Sequence, residues 1–100
     1  MSMADFKDYY ENHHSVRGRR NFPGMASYKR QYLTPVGTDA EPPFDVVTET
    51  GFATEEDYQR AIAHFASDPA EMEAHFRDEE NLFDRSTILT FLVDECRTEL

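Results

Sequence analysis

The stretch that decides the fold is FKDYYENHH at residues 6–14, followed by PGMASY at residues 23–28. In the first segment, aromatic and histidine side chains recur at the i, i+3, i+4, i+7 and i+8 positions, which share one face of a helix. These residues are Phe6, Tyr9, Tyr10, His13 and His14. The Pro-Gly pair then breaks the chain and leads into a strand. A titratable ring at the end of an apolar stripe predicts a ligand pocket beside this helix.

The remaining chain alternates between strand and helix patterns. Residues 34–43 contain three prolines and a glycine, which predicts a loop. The last apolar segment, residues 87–94, is apolar on both faces, so a strand there needs cover from helices on one side and from another subunit on the other. We expect strands at residues 25–33, 44–50 and 87–94, and helices that begin near Ser2, Thr54 and Asp68, the first ending near His14.

The charge of the chain is strongly acidic and unevenly distributed. The net charge is −10, with +3 on residues 1–37 and −13 on residues 38–100. Nucleic acid is disfavoured as a partner, because most of the surface would repel phosphate. The run Arg17, Arg19 and Arg20 allows either an anion site or a solvated loop.

Length and cysteine content point to one small intracellular domain. A chain of 100 residues can build a single core, so we expect one domain over residues 1–100. No apolar run approaches the roughly 20 residues that cross a bilayer, and the N-terminus lacks a signal-peptide pattern. The single Cys96 fits a reducing compartment. We therefore expect a cytoplasmic protein that does not bind membranes.

The order of elements resembles five of the six elements of a ferredoxin-like βαββαβ domain, and the residues resemble the EthD family, named for an ethyl tert-butyl ether degradation protein. The landmarks that carry the resemblance are Phe6…Tyr9-Tyr10-Glu11…His14, Pro23-Gly24…Tyr28, Phe44-Asp45…Glu49…Phe52 and Asp78-Glu79…Phe83-Asp84-Arg85-Ser86. The resemblance implies an antiparallel sheet with helices on one face. It further implies a homodimeric α+β barrel, in which two sheets enclose a small apolar or aromatic ligand.

The chain departs from this family at its start. The family normally has an apolar strand before the first helix, whereas this chain begins at Ser2 with the helix cap. In a ferredoxin-like sheet that strand is central, and its loss would leave two neighbouring strands without a hydrogen-bonding partner. We therefore expect that the start is truncated or misassigned, that another segment fills the gap, or that the sheet is rearranged.

Two residues are candidates for catalysis. His14 matches the family's histidine at the end of the first helix, and its imidazole could transfer a proton on a bound phenol or β-keto acid. Alternatively, it stabilises the helix C-terminus. Glu49 projects from the strand face opposite Val46 and Thr48. It would be a base or would orient the histidine if that face lines the barrel, and a surface residue if the face is solvated.

Four further residues are candidates for substrate binding. Tyr10, Tyr28 and Tyr32 could hydrogen-bond a substrate oxygen, although aromatic residues at this spacing commonly form the core. Asp84, beside Arg85, either positions a ligand carboxylate or stabilises the turn.

The sequence predicts neither a metal nor a cofactor. It has no cysteine cluster, and its four glycines are too scattered for a phosphate-binding loop. The stripe of Met72, His75 and Phe76 predicts that His75 faces inward from the helix that begins near Asp68. His75 and Glu79 also have the i, i+4 spacing of half a metal site, although a surface pair is the commoner arrangement for this spacing. The relatives implied by the resemblance are cofactor-independent decarboxylases, cyclases and oxygenases that act on polyketide-type aromatic compounds. The sequence thus predicts an enzyme of this kind, or alternatively a non-catalytic ligand-binding or accessory protein to a degradative oxidase.

Overall fold

The first helical region is longer than the sequence predicts. A computed structural model describes residues 1–100. The α-helix α1 spans Met3–Tyr9, a π-helical segment spans Tyr10–His14, and the α-helix α2 spans Ser15–Asn21. The backbone stays in the right-handed helical region at both junctions, so the three segments form one rod. The prediction that the helix ends near His14 is wrong, because the first strong helix breaker is Pro23-Gly24, where Gly24 adopts a φ of 87°.

The π-helical segment keeps three buried side chains on one face of the rod. At its end, the N–H of Ser15 donates to the carbonyl of Tyr10, five residues earlier. Phe6, Tyr10 and His14 are each separated by four residues and are all buried. In a regular α-helix each such step rotates the side chain by about 40°. The wider π turn reduces this drift, so the three rings point to the same side.

The sheet is a two-stranded antiparallel hairpin. Strand β1 spans Ser27–Tyr32 and strand β2 spans Val46–Gly51, with Ser27 paired to Gly51 and Tyr32 paired to Val46. These bounds confirm the two predicted strands to within two residues at each end. Because side chains alternate along a strand, one face carries Tyr28, Arg30 and Tyr32, and that face packs against the first helical rod.

Two further helices complete the helical layer. Helix α3 spans Glu55–Ala66 and helix α4 spans Pro69–Glu80, and their predicted caps are confirmed. Thr54 accepts a hydrogen bond from the N–H of Asp57, and Asp68 accepts one from the N–H of Glu71. The fold is therefore α+β, with the helices on one face of the sheet. None of the helices is both long enough and apolar enough to span a bilayer.

The arginines near the end of α2 lie in a helix and not in a loop. Arg17 Nη1 is 2.5 Å from Oε1 of Glu71, and Arg20 Nη2 is 2.9 Å from the same oxygen. Asn21 also donates to this oxygen at 3.3 Å. These contacts join α2 to α4, so Glu71 already provides the negative partner for two of the three arginines.

The predicted last strand does not form. A short 3-10 turn spans Arg85–Thr87, and residues 88–100 have no regular secondary structure. Phe91 and Leu92 are 73% and 89% exposed. The apolar pattern suits a strand, but a strand also needs a hydrogen-bonding neighbour. In a ferredoxin-like sheet that neighbour is the strand before the first helix, and residues 1–100 contain no such strand.

Candidate functional site

The centre of the candidate site is a hydrogen bond between the first helical rod and α4. His14, at the end of the π-helical segment, is 4% exposed. Its Nδ1 lies 2.8 Å from Oδ2 of Asp78, a half-buried residue near the end of α4. The sequence offers Glu49 as one candidate to orient this histidine; within the single chain, Asp78 is in that position.

Asp78 has further partners that favour its ionised form. The hydroxyl of Tyr9 donates to Oδ1, and Nε of Arg17 is 3.8 Å from Oδ2. Burial raises the pKa of Asp78, but the hydrogen bonds from Tyr9 and His14 and the nearby positive charges outweigh burial and lower it. The same hydrogen bond raises the pKa of Tyr9. A carboxylate at Asp78 can only accept, so His14 carries a proton on Nδ1.

The second ring nitrogen of His14 is available for chemistry. Nδ1 is occupied by Asp78, whereas Nε2 makes no hydrogen bond. A neutral imidazole held in this way has a free lone pair on Nε2, which is the arrangement of an oriented general base.

Tyr10 connects His14 to the sheet. Its hydroxyl and Oγ1 of Thr48 are 2.7 Å apart, and its ring meets the ring of His14 edge-on at 5.3 Å. Burial raises the pKa of Tyr10, so its hydroxyl stays protonated near neutral pH. Phe6, Tyr32 and Phe83 surround the Tyr10 ring in edge-on contacts. These rings form a packed aromatic cluster beside the first helical rod, which is the core arrangement that the spacing of the tyrosines also allowed.

Tyr32 belongs to an ion-pair cluster that holds the first helical rod on β1. Arg30 donates from Nε and Nη2 to the two carboxylate oxygens of Glu11, both at 2.7 Å. Tyr32 donates to Oε2 of Glu11 at 2.6 Å. The hydrogen bonds from Arg30 lower the pKa of Glu11 to about 2, against the opposing effect of burial. Because its hydroxyl is engaged here, Tyr32 has a structural role in the single chain.

Tyr28 lies at the other end of β1, beneath α2. The guanidinium of Arg30 is 4.5 Å from the centre of its ring, and burial raises the pKa of Tyr28. A Cβ placed on Gly18 would be 2.7 Å from the Tyr28 hydroxyl, so glycine allows this close approach. Tyr10, Tyr28 and Tyr32 are thus brought together between the sheet and the first helical rod.

Glu49 and Asp84 lie away from His14. Glu49 is exposed and points away from the helices, opposite Lys29 in the hairpin register. Asp84 is exposed and accepts hydrogen bonds from the backbone and the hydroxyl of Ser86, which matches the turn-stabilising alternative. In the single chain, neither residue contacts the histidine.

His75 and Glu79 form a second group that contacts His14. The interpretation of this i, i+4 pair as a surface pair is wrong, because His75 is 5% exposed and Glu79 is only partly exposed. The rings of His14 and His75 are 4.9 Å apart, and Nε2 of His75 is 3.3 Å from Oε1 of Glu79. Burial raises the pKa of Glu79, but the hydrogen bond from His75 and the neighbouring positive charges outweigh burial and lower it. Only the helical spacing of His75, Asp78 and Glu79 signals in sequence that they share one face.

Two open grooves border the Asp78 side of the site. They have volumes of about 420 and 350 Å³, and Arg17 and Asp78 contribute to both. Most of the residues that line them are polar or charged, so neither is the apolar cavity that the sequence predicts. The aromatic cluster and the buried His14 are present in one chain, whereas these grooves do not enclose an apolar ligand.

The comparisons with known proteins agree with this arrangement at the level of the family. The family model described as the EthD domain matches residues 1–86, which include the first helical rod, the hairpin, α3 and α4. Neither a curated protein nor a solved structure gives a significant match to the chain. Since the family model covers well over half of the residues, the chain belongs to the EthD domain family.

Proposed function

We propose that this chain is an enzyme that performs cofactor-independent acid/base chemistry on a small apolar or aromatic, polyketide-like compound. The hydrogen bond of 2.8 Å between His14 and Asp78 carries the proposal. A buried carboxylate that fixes the tautomer of a histidine is a recurrent way to prepare the opposite nitrogen for proton transfer. Decarboxylation, dehydration and cyclisation require only such transfers and an apolar site.

The proposed mechanism begins with His14 as the base. Asp78 accepts the Nδ1–H of His14, and Nε2 takes a proton from the hydroxyl of a phenol or from a carbon next to a carbonyl. The resulting imidazolium is stabilised by the Asp78 carboxylate. In the decarboxylation of a phenolic acid, the imidazolium returns the proton to the ring carbon that bears the carboxylate. The carbon–carboxylate bond then breaks, CO₂ leaves, and the electron pair of that bond restores the aromatic phenolate. The same scaffold would suit an oxygenase-like reaction, in which dioxygen oxidises an electron-rich phenolate.

Substrate binding is assigned to the aromatic layer between the sheet and the first helical rod. Tyr10 is the leading candidate because its ring contacts His14 and its hydroxyl stays protonated. Its hydroxyl hydrogen could turn from Thr48 to a substrate oxygen. Tyr28 and Tyr32 would extend the wall that contacts an aromatic ring, since edge-on aromatic contacts are favourable.

A second copy of the chain would enclose the ligand. Only eight of the 100 residues are buried, and the radius of gyration of 15.3 Å exceeds the roughly 13 Å of a compact chain of this length. Val47 and Glu49 lie on the open face of the hairpin. In a homodimeric barrel this face would be interior, and Glu49 would then act on a ligand from the side of the hairpin opposite His14. We place the dimer in the cytoplasm, where the exposed Cys96 would stay reduced.

The proposal is tested by replacing His14 and comparing it with the adjacent exposed histidine. We expect His14→Ala to reduce turnover of a responsive aromatic acid by about 10²-fold or more, because it removes the proton carrier. His13→Ala should retain activity, since His13 is exposed and stacks only on Tyr9. Light scattering would verify that both variants keep the assembly of the parent. Unchanged turnover in a folded His14→Ala protein would reject the catalytic role.

A non-catalytic role is the second candidate, and one observation favours it. The hydroxyls of Tyr9, Tyr10 and Tyr32 are all engaged in hydrogen bonds within the chain. Such a site would hold an aromatic ligand mainly by apolar contact, as in a carrier or an accessory protein to a degradative oxidase. Tight binding of an aromatic acid by calorimetry, with no product formed, would favour this second role.

A further inference from the structure

We propose that His14, His75 and Glu79 form a binding site for a divalent transition metal ion such as Zn²⁺. One ligand atom from each residue lies within 4.8 Å of the other two. His75 and Glu79 come from successive turns of α4, and His14 comes from the π-helical segment packed against it. Two imidazoles and one carboxylate form a donor set that suits zinc and related ions.

The spacing on α4 already matches metal coordination. Ligands about 2.1 Å from a tetrahedral ion are about 3.4 Å apart. Nε2 of His75 and Oε1 of Glu79 are separated by 3.3 Å, so this edge of the site needs no rearrangement. The His14 ring lies 4.9 Å from the His75 ring, and a small movement would bring its Nε2 into the same shell.

Each histidine has a partner on the nitrogen that would face away from the metal. Nδ1 of His14 is held by Asp78 at 2.8 Å, and Nδ1 of His75 is 3.0 Å from the Asn21 amide. The amide nitrogen of Asn21 is the atom nearest to His75 and also donates to Glu71. Metal binding would therefore require this amide to rotate, give up its hydrogen bond to Glu71 and present its oxygen to an Nδ1–H on His75. Metal-binding histidines characteristically have such a carboxylate or carbonyl partner, which orients the ring and directs the lone pair of the other nitrogen to the metal. A surface pair would have no need of these partners.

The surroundings would hold the ligands in place. His14 and His75 are nearly fully buried, and the rings of Phe22, Phe65 and Phe76 surround His75. The second oxygen of Glu79 is 3.2 Å from Nε of Arg85, which leaves the first oxygen directed at His75. Three protein ligands would leave a fourth position for water or for an oxygen of a small ligand.

The metal-bound form is a state distinct from the proton-transfer form proposed above. Nε2 of His14 cannot accept a proton while it binds a metal ion. Metal binding and turnover therefore compete for one nitrogen, and added Zn²⁺ should inhibit turnover. Zinc binding is measured without a substrate, so the two proposals are tested separately. A chain that binds no Zn²⁺ can still transfer protons, and a chain that shows no turnover can still bind Zn²⁺.

The test uses the full chain, freed of metal with EDTA and dialysed, and titrated with ZnCl₂ in a calorimeter. We expect one equivalent of tight binding. Glu79→Gln and His75→Asn should each weaken the affinity by at least about 10-fold, because each removes a ligand. Glu73→Gln on the same helix and His64→Ala on α3 alter exposed residues and should leave it unchanged. Circular dichroism would compare the helix content of all four variants.

Two outcomes would overturn the proposal. One is that the parent chain and folded Glu79→Gln bind Zn²⁺ with the same affinity. The other is that the His64→Ala control loses as much affinity for Zn²⁺ as Glu79→Gln does. If His75→Asn does not fold, the calorimetry of that variant is replaced by visible absorption spectroscopy of Co²⁺ bound to the parent chain and to Glu79→Gln. The parent chain should then give the intense visible bands of a four-coordinate site, and Glu79→Gln should weaken them. A Co²⁺ spectrum that is the same in both proteins would also reject the site.

Discussion

Asp78 accepts a hydrogen bond from His14 at 2.8 Å although the two residues are 64 positions apart in the chain. The contact depends on the π-helical segment, which keeps His14 on the buried face of the first helical rod after Phe6 and Tyr10. It also depends on α4, whose face carries Asp78 together with His75 and Glu79. One histidine therefore connects the proposed proton-transfer pair and the proposed metal site.

The first prediction concerns the tautomer of His14. With Asp78 as an acceptor, neutral His14 should carry its proton on Nδ1. Asp78→Asn places an amide there that can donate, so the variant should shift the population towards the Nε2–H tautomer. Nitrogen-15 NMR of the ring nitrogens distinguishes the two forms. Asp39→Asn, in the exposed loop, should leave the spectrum of His14 unchanged, and an Nε2–H tautomer in the parent chain would contradict the prediction.

The second prediction concerns acid stability. The pKa of Glu11 is lowered from its ordinary value of 4.5 to about 2, so ionised Glu11 stabilises the folded state above pH 4.5. This stabilisation should be lost as the pH falls from about 4.5 to about 2. Glu11→Gln should therefore lower the free energy of unfolding at pH 7 by about 1 kcal/mol, a figure discounted because the carboxylate is one-third exposed.

Urea unfolding at a series of pH values measures this effect. The difference between the parent chain and Glu11→Gln should shrink as the pH approaches 2. Glu41→Gln makes the same chemical change in the exposed loop and should give no pH-dependent difference. A difference that stays constant down to pH 2 would show that the ion pair with Arg30 is not its source.

Local patterns in the sequence predicted much of the fold. The hairpin strands follow from alternating residues, and the starts of α3 and α4 follow from the caps at Thr54 and Asp68, because these signals act over a few residues. The segment at residues 87–94 has an equally clear apolar pattern but forms no strand. Its structure depends on a neighbouring strand, and local sequence carries no information about that partner.

The site was predictable only in part for the same reason. His14 and Tyr10 were identified because they share a helical stripe that continues from Phe6. The role of Asp78 has no signal in the local sequence, since neither segment alone shows that α4 packs on the first helical rod. The stripe of Met72, His75 and Phe76 predicts that His75 faces inward, and its burial confirms this. The same spacing does not show that His14 packs against it.

The third prediction concerns the C-terminal segment. Residues 88–100 are exposed and have no regular secondary structure, so a chain ending at Thr87 should unfold with a free energy within about 0.5 kcal/mol of the full chain. Urea unfolding at low protein concentration tests this. Light scattering at high concentration would report whether the segment contributes to the proposed dimer. A loss of more than about 2 kcal/mol at low concentration would show that the segment packs on the fold.

The fourth prediction concerns the close approach of α2 to the sheet. Alanine is favoured over glycine within a helix by about 1 kcal/mol, but a Cβ on Gly18 would lie 2.7 Å from the Tyr28 hydroxyl. Gly18→Ala should therefore fail to stabilise the parent chain and should become more favourable, by about 1 kcal/mol, in a Tyr28→Phe background. A double-mutant cycle from urea unfolding measures this coupling. If the coupling is below about 0.3 kcal/mol, the hydroxyl does not restrict the position of α2, because the side chain then moves aside at no cost.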